Sequence, residues 1–162
     1  PQNPFLFSES IKENIQYGLK NADDYKIIDA SRKAVIHEDI INFKKGYKTI
    51  LGERGITLSG GQIQRVSIAR VFIKNPKIYL FDDCLSAVDN NTEEKILKNL
   101  KSISNNKTTI IVSHRISSLK HADQIIVFEN GKIVQQGKHI ELMGVTGYYK
   151  ELFEKQQADQ AK

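Results

Sequence analysis

The sequence has one cysteine, Cys84, in 162 residues. A single thiol cannot close an internal disulfide, and such sparing use fits a reducing cytosol. Long apolar runs are also absent: none approaches the ~20 residues a membrane helix needs. The longest, such as Ile125 to Phe128, have the length of strands. The first residues, Pro1-Gln2-Asn3-Pro4, carry no basic-then-apolar pattern, so no signal peptide is expected. No internal repeat or low-complexity tract is present. The charge excess is modest, a formal +5 from 24 Lys and Arg against 19 Asp and Glu. That value permits nucleic acid or an acidic membrane surface but selects neither, because most such surpluses are a solvated face. What remains is 40% hydrophobic and 27% charged, the make-up of a globular domain and not of a disordered or fibrous chain. The length is enough to bury a real core.

The chain divides at Asn75-Pro76. Before it the pattern is helical. Ser8 to Tyr17 reads as a short helix with a serine cap. From Asp23 to Val35, Ile27, Ile28, Ala30, Ala34 and Val35 recur at helical spacing. Gly60 to Ile73 aligns Ile63, Val66, Ala69 and Ile73, and Asn75-Pro76 stops it. After Pro76 strands and helices alternate. Ile78 to Phe81 is an apolar strand ending in Asp82; Thr92 to Leu100 is a helix burying Ile96, Leu97 and Leu100; Thr108 to Val112 is a β-branched strand. Gln124–Phe128 and Lys132–Gln135 flank Asn130-Gly131, a two-residue hairpin signal. Gly147 to Gln157 reads as an amphipathic helix. Apolar runs without alternation predict a parallel sheet covered on both faces.

Three polar groups stand out. Asp82 and Asp83 follow the first strand directly, where α/β sheets bind ligands beyond the carboxyl ends of strands. Adjacent carboxylates repel unless a cation or ligand is near, and a hard ion such as Mg²⁺ prefers such oxygens. Leu58-Ser59-Gly60-Gly61-Gln62 opens a helix, and the first amides of a helix attract phosphate. His114 follows the second strand and has the chemistry to bond a terminal phosphate or orient a water. Each also has a bland reading: a solvated corner, a plain turn, an exposed histidine. Cys84, Tyr148 and Tyr149 read as packing residues.

Taken together and in order, these segments resemble the ATP-binding cassette family, specifically the nucleotide-binding domain of exporter-type transporters. Leu58 to Gln62 matches the signature motif, Ile78 to Asp82 the Walker B strand, Ser86-Ala87-Val88-Asp89 the D-loop, and Ser113-His114-Arg115 the switch-histidine loop. Pro1 to Phe7 matches the Q-loop and Thr49 to Gly55 resembles the exporter X-loop. The likeness runs from residue 1 to about 157. It implies an α/β fold of the P-loop NTPase, RecA-like type: a parallel sheet core with an inserted helical subdomain. Residues 1–75 would hold the Q-loop, helical subdomain and signature helix. Residues 76–157 would hold the core part with Walker B, D-loop and switch histidine, and 158–162 a polar tail.

The resemblance also implies roles. Leu58, Ser59, Gly60, Gly61 and Gln62 would touch ATP held by a second, head-to-tail nucleotide-binding domain, with Asp89 linking the two sites. Asp82 and Gln2 would serve Mg²⁺; Gln2 would also sense the attacking water, and His114 would contact the γ-phosphate. Phe5 to Phe7 and Glu53 would lie near loops of a transmembrane domain, on the cytoplasmic face of a membrane. Two departures qualify this. The family's general base is usually glutamate, whereas Asp83 is shorter by about 1.5 Å. The expectation is a slow site, in a subunit paired with a non-identical partner. Secondly, the phosphate-loop pattern G-x-x-x-x-G-K-[S/T] is absent, since neither Gly131-Lys132 nor Gly137-Lys138 is followed by Ser or Thr. The expectation is a piece lacking the N-terminal strands and Walker A loop, inactive alone. Alternatives are a non-catalytic regulatory cassette, an importer subunit, or a chromosome-associated ATPase. The last would carry long heptad segments, which are absent, so no nucleic-acid partner is expected.

Overall fold

The computed structural model describes residues 4–19, 21–52 and 57–160. Two compact units form, one ending at Val112 and the other beginning at Ser113. The first contains α1 (Ile11–Gln16), α2 (Asp24–Lys33), α3 (His37–Asn42), a 3-10 turn at Gly46–Lys48, α4 (Gly60–Lys74), β1 (Ile78–Asp82), α5 (Asn90–Ile103) and β2 (Thr108–Val112). The second contains β3 (Ile125–Glu129), β4 (Lys132–Gly137), α6 (His139–Met143) and α7 (Tyr148–Gln160). No described helix is long and apolar enough to cross a membrane.

In the first unit, α1 and α2 pack on α4. Ile11, Ile15 and Ile27 from the two short helices meet Val66 and Ala69 in one buried cluster. Each fully buried isoleucine stabilises this contact by about 1.5–3 kcal/mol. Short helices need such tertiary support because their own turns are marginal in water. Ser10, not Ser8, caps α1, accepting from the Glu13 amide. Ser8 lies in a bend before the helix, and the chain turns helical only after Ser10 bridges to Ile50. Asp23 caps α2, accepting from the Tyr25 amide. The predicted helix end at Val35 is two residues too far: the helix ends at Lys33, Ala34 is the C-cap and Val35 sits at φ +55°, in left-handed backbone. Helix α3, six residues long, escapes the pattern altogether.

Strands β1 and β2 pair in parallel, with Leu80 opposite Ile110 and Asp82 opposite Val112. Tyr79 and Phe81 are buried, whereas Ile78 and Leu80 are 62% and 64% exposed. The expectation of a sheet covered on both faces is therefore wrong for the described residues. β1 alternates buried and exposed, with α4 and α5 residues against its inner face. Helix α5 starts at Asn90, earlier than the pattern indicates, because Asp89 caps it by accepting from the Thr92 amide. In the second unit, β3 and β4 form the predicted hairpin. Asn130 and Gly131 take φ +50° and +74°, the left-handed pair a tight hairpin turn needs. Its own core joins Ile125, Val127, Leu142 and Tyr149.

Candidate functional site

The site is built at the start of α4. Ser59 has extended backbone and forms a capping box with Gln62: the Gln62 amide donates to Ser59 Oγ at 3.3 Å, and the Ser59 amide donates to Gln62 Oε1 at 3.0 Å. Gly60 and Gly61 are the first two helical residues, whose amides have no acceptor within the helix. Leu58 is buried in the core cluster and anchors the turn.

A second wall is the loop from Asp83 to Asp89. The Asp83 amide donates to the Val112 carbonyl at 2.8 Å, which continues the sheet ladder one residue past Asp82. Its backbone then turns left-handed, φ +46°, and its carbonyl accepts from Ser86 Oγ at 3.0 Å. Aspartate tolerates that conformation better than most residues. The loop is tied to α4 by Gln64, which is 5% exposed. Gln64 Nε2 donates to Ser86 Oγ and Gln64 Oε1 accepts from the Ala87 amide, both at 3.0 Å. The walls approach so closely that a Cβ on Gly61 would lie 2.7 Å from the Ala87 carbonyl oxygen. On Gly60 it would meet only the Ala87 methyl, at 3.5 Å.

Between these walls is a concave pocket of 380 Å³ lined by Ser59, Gly60, Gly61, Arg65, Ala87, Val88 and Asp89. The structure thus brings together Ser59, Gly60, Gly61 and Asp89 from the sequence-predicted set. Gln62 turns its side chain to Asp39 instead, donating from Nε2 at 2.9 Å. Asp82 is exposed at the end of β1 and Asp83 is half-buried beside it; neither lines the pocket. His114 is exposed and belongs to the second unit, where its carbonyl accepts from Gln156 Nε2 at 2.6 Å. Gln2 and Glu53 lie outside the described residues.

Three polar residues of this site escape sequence reasoning: Asp39, Gln64 and Arg65. Arg65 donates bidentately to Asp39, at 2.8 and 3.2 Å, and also to the carbonyls of Val35 and Gly61. Burial pushes the Asp39 carboxyl upward, but the bonds from Arg65 and Gln62 outweigh it and hold it below its ordinary value. The Asp89 carboxyl is also lowered, chiefly by its bonds with Thr92. Cys84 behaves oppositely: burial pushes its thiol up to about 11, so it stays protonated and unreactive at neutral pH.

The segment before α1 is fixed by a fully buried Asn14. Asn14 Oδ1 accepts from the Phe7 amide at 2.8 Å, and Nδ2 donates to the Phe7 and Ser10 carbonyls. Arg70 of α4 donates to the carbonyls of Phe5 and Asn14, and its guanidinium lies over the rings of Phe7 and Tyr17. Phe5 is left 68% exposed on this platform.

The donor set fits a phosphate-bearing ligand in one respect: a serine and two glycines of a helix start, where amides lack an acceptor within the helix, line an open pocket. For a cation the described residues offer no cluster of three or more acidic, histidine or cysteine ligands. Asp82 alone suits Mg²⁺ held largely by water and phosphate, not by a protein cage.

Comparison with known proteins agrees with this geometry. The ABC transporter family model matches residues 1–86. The ABC transporter ATP-binding protein YknU of Bacillus subtilis, itself uncharacterized, is 49% identical over 158 residues, covering 98% of this chain and 27% of its own length. The putative multidrug export ATP-binding/permease protein YgaD of the same organism is 48% identical, covering 94% and 26%. A bacterial Atm1-family ABC exporter solved with ATP bound superposes with a TM-score of 0.91 at 40% identity, over 97% of this chain and 28% of that one. The chain therefore spans about a quarter of the length of these relatives and has the α/β, P-loop NTPase fold of an exporter nucleotide-binding domain. With six ordered motifs, a matching family model and a superposable solved relative, the chain belongs to the ABC transporter family.

Proposed function

We propose that this chain is part of the ATP-binding and ATP-hydrolysing machinery of a membrane exporter, acting from the cytoplasmic face. The observation that carries the reading is the α4 start: a capping serine and two glycines opening on a pocket shared with the Asp83–Asp89 loop. In this reading Ser59, Gly60 and Gly61 contact the γ-phosphate of ATP held by a second nucleotide-binding domain. Leu58 and Gln62 hold the turn, and Asp89 reaches the opposing domain. Asp82, with Gln2, would hold Mg²⁺, which when bound would supply charge neutralisation at the ATP phosphates. His114 contacts the γ-phosphate of the site on its own domain. The Phe5–Phe7 platform, with Glu53, receives the transmembrane domain. The YgaD relative, whose name joins ATP-binding and permease functions, supports that partner.

Asp83 occupies the general-base position. Its backbone is held at the amide by Val112 and at the carbonyl by Ser86, so it cannot shift to recover a missing methylene. A displacement of about 1 Å can cost a hundredfold in rate. That supports an impaired site in this subunit, with the intact signature turn serving a competent site in a non-identical partner. In the full-length protein, Asp83→Glu is expected to raise ATP turnover by about tenfold or more, while Asp83→Asn keeps it low. Rapid turnover by a homodimer of the unaltered protein overturns the heterodimer reading. The same short carboxylate suits a regulatory cassette that switches on ATP binding alone. A complete lack of turnover by the intact pair, with ATP still bound, favours that second reading.

A further inference from the structure

We infer that Asp39 is a positioning residue for the signature turn: from α3 it sets the orientation of Gln62 and Arg65, and through them the Ser59 hydroxyl and the pocket wall. The inference rests on the proposed role of that turn. Its geometry is continuous. Gln62 and Arg65 are three apart and share one face of α4. Both donate to the same carboxylate, Gln62 Nε2 to Oδ1 and Arg65 Nη1 and Nη2 to Oδ2 and Oδ1.

Because the Gln62 amide group donates to Asp39, its oxygen is turned toward the Ser59 amide, which it accepts at 3.0 Å. That closes the capping box and leaves Ser59 Oγ accepting from the Gln62 amide. The latter bond uses a lone pair of Oγ and not its proton, which is then the one to donate to a phosphate. Arg65 is affected in a second way. It lines the pocket, yet its donors go to Asp39, Val35 and Gly61, so its charge is held at the wall. Without Asp39 the guanidinium gains freedom to swing toward an anion in the pocket.

Packing of α3 does not need this carboxylate. Ile36 and Ile40 are 1% and 0% exposed and anchor the helix in the core. The carboxylate thus serves orientation, and its bidentate pair with Arg65, whose side chains are 28% and 15% exposed, also contributes to stability.

The test measures ATP turnover and thermal melting of the full-length protein, with its partner, carrying Asp39→Asn, Asp39→Ala or Gly60→Ala. The Asp39→Asn change keeps the shape but turns a donor toward donors; Asp39→Ala removes both acceptors. Expected for the two Asp39 variants is a fall in kcat of about tenfold or more, larger than any loss of folded fraction that melting reveals, with KM for ATP changed much less. A kcat within twofold of the parent in both Asp39 variants, while Gly60→Ala abolishes turnover, overturns the inference and leaves the signature reading standing. A lowered melting temperature with kcat falling only as the folded fraction falls also overturns it. Unchanged turnover in Gly60→Ala refutes the underlying reading, and the inference with it.

Discussion

Two adjacent glycines of one motif do different work. Gly60 faces open space except for the Ala87 methyl, whereas Gly61 is pressed against the Ala87 carbonyl. Gly60→Ala is therefore expected to fold normally. Any loss of turnover it causes then reports a body outside this chain's first unit, which under the proposed function is the phosphate or the opposing domain. Gly61→Ala must push back the Ala87 backbone, and overpacking of this kind costs about 1–3 kcal/mol. Melting curves separate the two: an unchanged midpoint for Gly60→Ala and a lowered one for Gly61→Ala. Equal destabilisation would mean that the motif's glycines are needed only for packing. Sequence reading finds both glycines but cannot rank them, because the Ala87 carbonyl comes from 26 residues further on.

At the scale of elements, a side-chain bridge joins α4 to the loop before α5. The Gln64 carboxamide, itself buried, satisfies the Ala87 amide and Ser86 hydroxyl of the exposed loop at once. Gln64→Leu keeps the volume and removes both partners. The Ala87 amide then loses its acceptor, and because Ala87 is exposed the cost is that of an ordinary hydrogen bond, about 0.5–1.5 kcal/mol. Expected are a lower melting temperature and faster amide exchange at Ala87, with protection at β1 and β2 retained. Unchanged exchange there would show that the loop holds itself. Such a bridge explains which parts of the fold are legible beforehand. β1, β2, the hairpin and α4 follow from apolar runs, a proline stop and an Asn-Gly turn, all local signals. Asp39, Gln64 and Arg65 are not legible, since a polar residue on a helix reads as solvated until its partner's position is known. Helix α3 fails for a related reason: six residues with two buried isoleucines, Ile36 at its cap and Ile40 within it, carry too little periodicity to register.

At the scale of the molecule, the outer face of the β1–β2 sheet decides how these 162 residues behave as an isolated polypeptide. Ile78, Leu80, Ile110 and Val112 are between 49% and 64% exposed, and Leu80 and Ile110 sit side by side in register. A contiguous apolar sheet surface of this kind drives association, and unpaired strand edges add to it. The polypeptide also lacks the phosphate-loop pattern, so the backbone cradle and lysine that would hold the β- and γ-phosphates are not supplied by it. It is therefore expected to self-associate at micromolar concentration and to give no measurable heat with ATP. Leu80→Gln with Ile110→Gln should shift it toward monomer in sedimentation, since both side chains are exposed here. In the full-length protein the same pair is expected to act in the opposite direction. There a covered face would lose about 1.5–3 kcal/mol for each large side chain withdrawn from apolar contact. A monomeric parent polypeptide, or a full-length variant that melts unchanged, would mean that this face is built for water despite its composition.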